Sequence, residues 1–218
     1  MNKNILIIAA HSDDQTLGTA GTAAKYAKEG FEVRTVIFSW GEVSYPHFKE
    51  NVIVNTRERE SLRADKIIGG KGVNFLKVPE KKIKNEVEIF KAKKKLERII
   101  RNLRPVKVFT HSQQDPHPVH RVTSQVTLEV IDSLPWKTEV YTFDIWNPFR
   151  FSFDKHPKLF IDTSDTFELK IKALKCFKSQ FSLHGLLNFL PLISTYVKNF
   201  IDGKKINKKY AEVFRRIR

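Results

Sequence analysis

The sequence predicts an α/β protein built on a doubly wound, mostly parallel β-sheet with helices on both faces. Short apolar segments of strand length alternate with amphipathic segments of helix length along most of the chain. The first strand segment is continuously apolar, which is typical of a strand that is buried on both faces of a parallel sheet. No internal repeat, low-complexity segment or clear interdomain linker interrupts the alternation.

Each predicted strand is an apolar or alternating run that ends at small or polar residues. The first run is wholly apolar, the second (FEVRTVIF) alternates before it becomes apolar, and the fourth (VKVFT) leads directly into a histidine. The predicted strands cover residues 5–10, 31–38, 73–78, 106–110, 139–143 and 158–161.

The helices are predicted from apolar residues at three- and four-residue spacing. Gly30 suits the position after the first helix, Gly69 and Gly70 close the second, and the third stops before Pro105. Asp165 is the expected cap of the last helix. The predicted helices cover residues 16–28, 55–68, 88–103, 120–133 and 164–181.

The chain of 218 residues is long enough for one domain with a substantial core. We predict a main domain over residues 1–181 and a basic, helical extension over residues 182–218 that packs on it. Pro191 and the short apolar run around it argue against a transmembrane helix, which needs about 20 apolar residues. Two interpretations stay open: a core or oligomer-interface helix, and an interfacial segment that meets a lipid-linked anionic substrate.

Composition excludes several classes of protein. The one cysteine, Cys176, allows neither a disulfide nor a thiolate zinc site within the chain, and its apolar context predicts a buried, inert thiol. No signal peptide is recognised at the start of the sequence, so a cytoplasmic protein is expected.

The net charge of +15 is concentrated in two stretches. Residues 77–107 carry twelve Lys/Arg against four Asp/Glu, and residues 204–218 carry seven against one. Such charge favours anionic partners such as phosphate-bearing substrates, nucleic acid or an anionic membrane, or it is a solvated face that maintains solubility. No nucleic-acid-binding motif is present, so nucleic acid is the least favoured of these partners.

The most informative motif follows the first strand and reads Ala10-His11-Ser12-Asp13-Asp14-Gln15. An imidazole and a carboxylate three residues apart can both reach one metal ion, and the second carboxylate is then free to act as a base. Capping of the next helix by Ser12, Asp13 or Asp14 is the alternative. Capping needs only one such residue and no histidine, so a metal site is favoured.

A second polar cluster follows the fourth strand and contains His111, Asp115, His117 and His120. In the common doubly wound strand order, the first and fourth strands are neighbours where the winding direction reverses, and ligands bind at that point. This order would bring the second cluster beside the first, although about a hundred residues separate the two in sequence.

Together these motifs resemble the zinc-dependent de-N-acetylases of the PIG-L/LmbE-like family, which act on N-acetylglucosaminyl conjugates. The hallmark Ala-His-Pro-Asp-Asp-Glu corresponds to residues 10–15, and His-Pro-Asp-His corresponds to residues 117–120. The resemblance also takes in Arg57–Glu60 and a strand-and-helix stretch over residues 162–180, and it covers most of residues 3–181. It implies a Rossmann-like fold, which agrees with the fold class predicted above.

The resemblance implies a role for six residues. His11, Asp14 and His120 would be the protein ligands of a Zn²⁺ ion, Asp13 the general base, and His117 the group that stabilises the oxyanion or protonates the leaving amine. Arg57 would bind substrate; the alternative is a solvated ion pair with Glu60.

Three residues depart from the family's motifs. Ser12 replaces a proline, Gln15 replaces a glutamate and Val119 replaces the aspartate between the two histidines. None of the three is an expected ligand or the expected base. Val119 removes a charged neighbour of His117, so the resemblance implies an active site whose histidine has a different environment. The alternative is a degenerate, non-catalytic member of the family.

The function expected from the sequence is zinc-dependent hydrolysis of an N-acyl group, with acetyl the first expectation, from an amino-sugar conjugate. Whether the conjugate is anionic or lipid-linked stays open. A zinc amidase for a non-sugar substrate is one alternative. The other is a basic, non-catalytic protein that binds phosphoinositide or nucleic acid, but the first loop has two carboxylates where a phosphate-binding loop would be glycine-rich. Peripheral membrane contact and a homo-oligomer both stay open.

Overall fold

The computed structural model describes residues 3–42, 50–145, 156–181 and 190–218. Seven strands form one sheet in the order β3-β2-β1-β4-β5-β7-β6. The strands are β1 (Asn4–Ala9), β2 (Glu32–Ser39), β3 (Val73–Val78), β4 (Lys107–His111), β5 (Glu139–Phe143), β6 (Lys158–Asp162) and β7 (Ala211–Arg216). The helices are α1 (Asp14–Lys28), α2 (Glu50–Ile67), α3 (Glu86–Leu103), α4 (Pro118–Asp132), α5 (Phe167–Leu174), α6 (Lys178–Phe181) and α7 (Leu190–Lys204).

The sheet is mostly parallel, as predicted. Strands β3, β2, β1, β4 and β5 pair in parallel, whereas β7 runs antiparallel to both β5 and β6. Strand β1 pairs with β2 on one side and with β4 on the other, so the winding direction reverses between β1 and β4. The expected adjacency of the first and fourth strands is confirmed, and the loops that follow them leave the same edge of the sheet.

Strand β1 is buried on both faces, which explains its uninterrupted apolar sequence. Ile5 and Ile7 pack against alanines of α1 and against Phe177 on one face. Leu6 and Ile8 pack on the other face, in a cluster that includes Leu96 and Ile100 of α3 and Val126 and Val130 of α4. The helices therefore cover both faces, as the fold class requires.

The C-terminal region differs from its prediction. The basic tail was expected to be helical, but it forms β7, which lies between β5 and β6 in the main sheet. The strand was not predicted because its sequence is charged, whereas a buried strand is expected to be apolar. In the structure Glu212 is buried, and Arg215 and Arg216 pair with Asp144 and Glu139. Residues 182–189, which belong to the predicted extension, lie outside the described residues.

The predicted helices α1, α3 and α4 differ from the structure by at most two residues at an end, and two others differ more. The described part of α2 begins at Glu50 and not at residue 55. The helix predicted over residues 164–181 is two helices, α5 and α6, with Phe177 fully buried at the break. Thr166, and not Asp165, occupies the N-cap of α5, and its hydroxyl donates to the carbonyl of Gly21 at 2.8 Å. Cys176 is half-buried, and burial raises the pKa of its thiol, so it stays protonated and unreactive.

A buried ion pair joins three elements behind the site. The ammonium of Lys170 on α5 lies 2.6 Å from Glu212 of β7, and these residues are 1% and 2% exposed. Glu212 also accepts the backbone N–H groups of Gly21 and Thr22 on α1, at 3.1 and 2.8 Å. Lys170 donates in addition to the carbonyl of Leu17 at 2.8 Å.

Replacement of Lys170 is expected to destabilise the fold strongly. Lys170→Met leaves the Glu212 carboxylate buried without its cation, which costs about 3–5 kcal/mol of the free energy of unfolding. Urea titration measures the loss, and Lys172→Met on the exposed side of the same helix is the matched control. Equal unfolding midpoints for the two variants would contradict the structural role given to the pair.

Candidate metal centre and active site

The loop between β1 and α1 directs two side chains towards one point. The backbone N–H of His11 donates to Asp14 Oδ2 at 2.8 Å, and this turn brings the same oxygen to 3.1 Å from Nδ1 of the His11 ring. Asp13 occupies the N-cap of α1, yet within the described residues its side chain makes no capping hydrogen bond. Capping therefore does not account for this motif.

His120 completes a cluster with these two residues from the other side of the switch point. Its Nε2 atom lies 3.2 Å from Asp14 Oδ2 and 3.3 Å from His11 Nδ1. Tetrahedral zinc with bonds of about 2.0–2.1 Å places neighbouring ligand atoms about 3.3 Å apart. The three mutual distances, 3.1, 3.2 and 3.3 Å, therefore match the spacing of three ligands on one tetrahedral ion.

Each of the two histidines is backed by a carboxylate on its other ring nitrogen. Glu80 Oε1 lies 2.6 Å from His11 Nε2, and Asp115 Oδ1 lies 3.0 Å from His120 Nδ1. Histidines that bind metals usually direct their second ring nitrogen to a carboxylate or carbonyl, which fixes the ring and its tautomer. The pattern therefore marks His11 and His120 as the imidazoles best prepared to bind a metal ion.

His111 offers a different combination with Asp14 and His120, since the ligand atoms of these three also lie within 4.8 Å of one another. Its Nε2 atom, however, accepts the backbone N–H of Ala10 at 2.9 Å, which uses the lone pair that a metal would need. Complete burial lowers the pKa of His111 to about 4, so the ring is neutral and serves to join β1 to β4.

The cluster is electrostatically arranged for a cation. Burial lowers the pKa of His11 and of His120, but the carboxylates around them raise these pKa values to about 9 and about 10. Burial likewise raises the pKa of Asp14, but His120 and His11 hold it well below its usual range. Positive charge at this point is therefore stabilised by Asp14, Glu80 and Asp115.

Arg57 lies inside the site and not on a solvated helix face. It is buried, donates to the carbonyl of Gly41 at 2.7 Å, and its Nη2 atom lies 3.5 Å from Asp13 Oδ1. Glu60 does not pair with it but accepts hydrogen bonds from the backbone and hydroxyl of Ser179, at 2.8 and 2.6 Å. The alternative of a solvated Arg57–Glu60 pair is therefore wrong.

His117 stands at the N-cap of α4, with its ring edge-on to that of His11 at 5.1 Å. Burial and the neighbouring charges of His11 and His120 lower its pKa. Asp115 accepts the backbone N–H of His117 at 2.9 Å, while its side chain also contacts His120. Asp115 therefore contacts both His117 and His120. Val119, which stands where the family's motif has an aspartate, is buried.

A cavity of about 770 Å³ lies beside this cluster. The polar side chains that line it include His11, Asp13, Arg57, Glu80 and His117. The apolar side chains that line it include Leu17, Phe143, Leu174, Phe177, Ile193 and Val197. The expected site residues therefore line one cavity or adjoin it, together with Glu80, which sequence reasoning did not single out.

An open α/β sheet with a histidine–carboxylate cluster and a cavity at its switch point defines a class of α/β enzymes whose sites can hold a metal ion. Within that class, a model of the PIG-L family, described as GlcNAc-PI de-N-acetylase, matches residues 6–131. The chain belongs to this family, which confirms the resemblance seen in the two motifs.

Relatives with assigned activities agree with this membership. The chain is 25% identical to a diacetylchitobiose deacetylase of Thermococcus kodakarensis, over 98% of this chain and 82% of that protein. The structure of the N,N'-diacetylchitobiose deacetylase of Pyrococcus horikoshii superposes with a TM-score of 0.82 at 23% identity, over 99% of this chain and 84% of that one. A 4-carboxy-2-hydroxymuconate hydratase of Pseudomonas putida KT2440 superposes with a TM-score of 0.83 at 20% identity, over 99% of this chain and 96% of that one. The shared fold alone therefore does not determine the reaction.

Proposed function

We propose that the protein is a zinc-dependent deacetylase that hydrolyses an N-acyl group, with N-acetyl the first expectation, of an amino-sugar conjugate. The observation that carries the proposal is the convergence of His11 Nδ1, Asp14 Oδ2 and His120 Nε2 at 3.1–3.3 Å from one another. Family membership and the named substrate of the Thermococcus kodakarensis deacetylase support the choice of an acetylated amino sugar.

Zinc fits the donor set of the cluster. Two imidazole nitrogens and one carboxylate oxygen suit Zn²⁺, whereas Mg²⁺ and Ca²⁺ prefer shells made of oxygen atoms. His11, Asp14 and His120 would hold the ion, with Glu80 and Asp115 fixing the two rings. When bound, zinc lowers the pKa of a water molecule and polarises the substrate carbonyl.

The remaining polar residues of the cavity supply the acid and base steps. Asp13 is next to the ligand Asp14 and has no capping role, so its carboxylate is free to remove a proton from the attacking water. Arg57 holds Asp13 through its guanidinium at 3.5 Å and, as a lining residue of the cavity, can also bind the sugar. The His117 ring lines the same cavity and can donate its N–H to the developing oxyanion or to the leaving amine.

The proposal is tested with the purified full-length chain. Metal is removed with a chelator, zinc is restored to one equivalent, and acetate release is measured on N-acetylglucosamine, N,N'-diacetylchitobiose and an N-acetylglucosaminyl-inositol. We expect release of acetate from at least one of them, dependent on zinc. A fully zinc-loaded protein that releases no acetate from any, but hydrates an unsaturated dicarboxylate, would replace the deacetylase with a hydratase.

Loss of Glu80 is expected to weaken metal binding. Glu80→Ala leaves His11 Nε2 without its carboxylate, and removal of such partners typically costs about 10–100-fold in metal affinity. Glu80→Gln keeps an acceptor but removes the charge, so an intermediate affinity is expected. Zinc affinity is measured by competition with a chromophoric chelator, and Glu129→Ala on the exposed side of α4 is the control. Native affinity in Glu80→Ala would show that Glu80 does not support the ligand.

A further inference from the structure

Helix α7 presents an apolar stripe to solvent. Five side chains at positions i, i+3, i+4, i+7 and i+8 lie on one face of the helix. Their exposed fractions are 55% for Ile193, 38% for Tyr196, 43% for Val197, 45% for Phe200 and 40% for Ile201. They make up five of the nine exposed large apolar side chains in the described part of the chain. A contiguous patch of this kind marks an interaction surface.

Helix α7 turns several polar side chains towards the protein. They include Thr195, Asn199 and Asp202, which are buried, and Thr195 and Asn199 line the cavity. Part of the stripe also contacts the core, since the Tyr196 ring lies 5.0 Å from that of Phe167. Packing against the described core does not account for Phe200 and Ile201, which stay 45% and 40% exposed.

The surroundings of the stripe are basic. Residues 190–210 contain five lysines and one aspartate. That aspartate, Asp202, pairs with Lys198 and Lys205, at 2.9 and 2.6 Å, and Lys208 lies 3.4 Å from Asp162 of β6. Lys204 lies at the end of the helix with its ammonium 5.0 Å from the Phe200 ring, and Lys209 follows beside Tyr210. Apolar side chains beside lysines are the pattern of a helix that lies in the interface of an anionic membrane.

The stripe also adjoins the cavity. Ile193 and Val197 belong to both, because they line the cavity and are exposed to solvent. A surface that covers the stripe therefore lies against the part of the cavity that these two residues form. No helix in the described ranges is long and apolar enough to cross a membrane.

A second copy of the chain is the less favourable occupant. Two stripes placed face to face would bring both sets of lysines together, and lysines are depleted at protein–protein interfaces. Five partly exposed side chains on one 15-residue helix also offer less than the roughly 800 Å² per partner of a stable interface.

We propose that α7, with the lysines at its C-terminal end, docks the protein on an anionic membrane surface. The apolar stripe enters the boundary between headgroups and acyl chains, Lys204 and Lys209 contact the anionic headgroups, and the cavity opens beside the membrane.

Vesicle flotation tests the docking without reference to catalysis. The native protein is mixed with vesicles of phosphatidylcholine alone, or of phosphatidylcholine and phosphatidylserine in a two-to-one ratio, at low salt and at about 0.15 M salt. We expect binding to the anionic vesicles that weakens with salt. The double variant Phe200→Ser/Ile201→Ser is expected to lose at least about tenfold in vesicle affinity, because two apolar side chains no longer enter the bilayer.

A matched control distinguishes binding through the stripe from nonspecific binding of exposed apolar side chains. Phe90 on the basic helix α3 is 60% exposed and has Lys94 5.7 Å from its ring, so Phe90→Ser removes a similar side chain from a different basic surface. This variant is expected to bind as the native protein does. Circular dichroism checks that the variants are folded. Truncation of exposed side chains is expected to leave the fold intact.

Three results would overturn the proposal: no binding of the native protein at low salt, equal binding of the stripe variant, or equal loss with Phe90→Ser. Light scattering adds a fourth. A native dimer that becomes monomeric in Phe200→Ser/Ile201→Ser would assign the stripe to contact between two copies of the chain.

Discussion

His120→Ala is expected to abolish metal binding and to reduce turnover to the background rate. His120 supplies one of three donor atoms that lie 3.1–3.3 Å apart, and its ring is completely buried between Asp14 and Asp115. Alanine removes the donor and leaves the remaining two too few to hold zinc, which catalytic sites bind with three protein ligands. Zinc content by elemental analysis should fall from one equivalent to near zero, and added zinc at moderate concentration should restore neither content nor activity.

His111→Gln is the informative companion of this variant. His111 accepts the Ala10 N–H, so it is not expected to be a ligand, and a glutamine side chain can still accept a hydrogen bond. Zinc content should therefore stay near one equivalent. Loss of zinc in a folded His111→Gln, with retention in His11→Ala, would instead select Asp14, His111 and His120 as the ligand set. Retention of stoichiometric zinc in His120→Ala would exclude both sets.

The parallel part of the fold could be predicted because its strands have a recognisable local sequence pattern. A strand buried on both faces, such as β1, needs an unbroken apolar run, and helices of regular spacing separate β1 to β5. Strand β7 gave no such signal. Its Glu212 is buried only because Lys170 and two N–H groups of α1 neutralise it, and those partners lie at least 42 residues away.

Some residues of the candidate site could be predicted from local motifs, and others could not. His11, Asp13, Asp14, His117 and His120 lie where β1 leads into α1 and β4 leads into α4, and the strand order brings these two places together. The motifs and the topology therefore suffice to place them. Glu80 lies in a lysine-rich stretch, where a glutamate is expected to be a solvated counter-charge. Its position beside His11 depends on the turn that follows β3 and on a contact with Ser39 at the end of β2. These are long-range contacts that no local pattern encodes.

Asp13→Asn is expected to separate metal binding from catalysis. Asp13 is adjacent to Asp14 in sequence, but its carboxylate contacts Arg57 and is not one of the three converging donor groups. The asparagine amide is nearly the same size and cannot accept a proton from water at neutral pH. Zinc content should therefore stay near one equivalent, while turnover should fall by roughly two to four orders of magnitude, the range typical of a lost general base.

Two controls make the result specific to proton transfer. Asp13→Glu retains a base on a longer side chain and should recover part of the lost turnover. Asp65→Asn changes a carboxylate on α2 that accepts the backbone N–H of Gly72 and does not line the cavity, so it should leave turnover near native. Arg57→Lys tests the partner of Asp13: a lysine keeps the charge but lacks the two-pronged geometry that reaches Gly41 and Asp13 together.

If Asp13→Asn lost zinc in parallel with activity, Asp13 would be a ligand or a structural residue. If it kept both, the base would be another group of the cavity, and Glu80, which lies beside His11, is the first carboxylate to test.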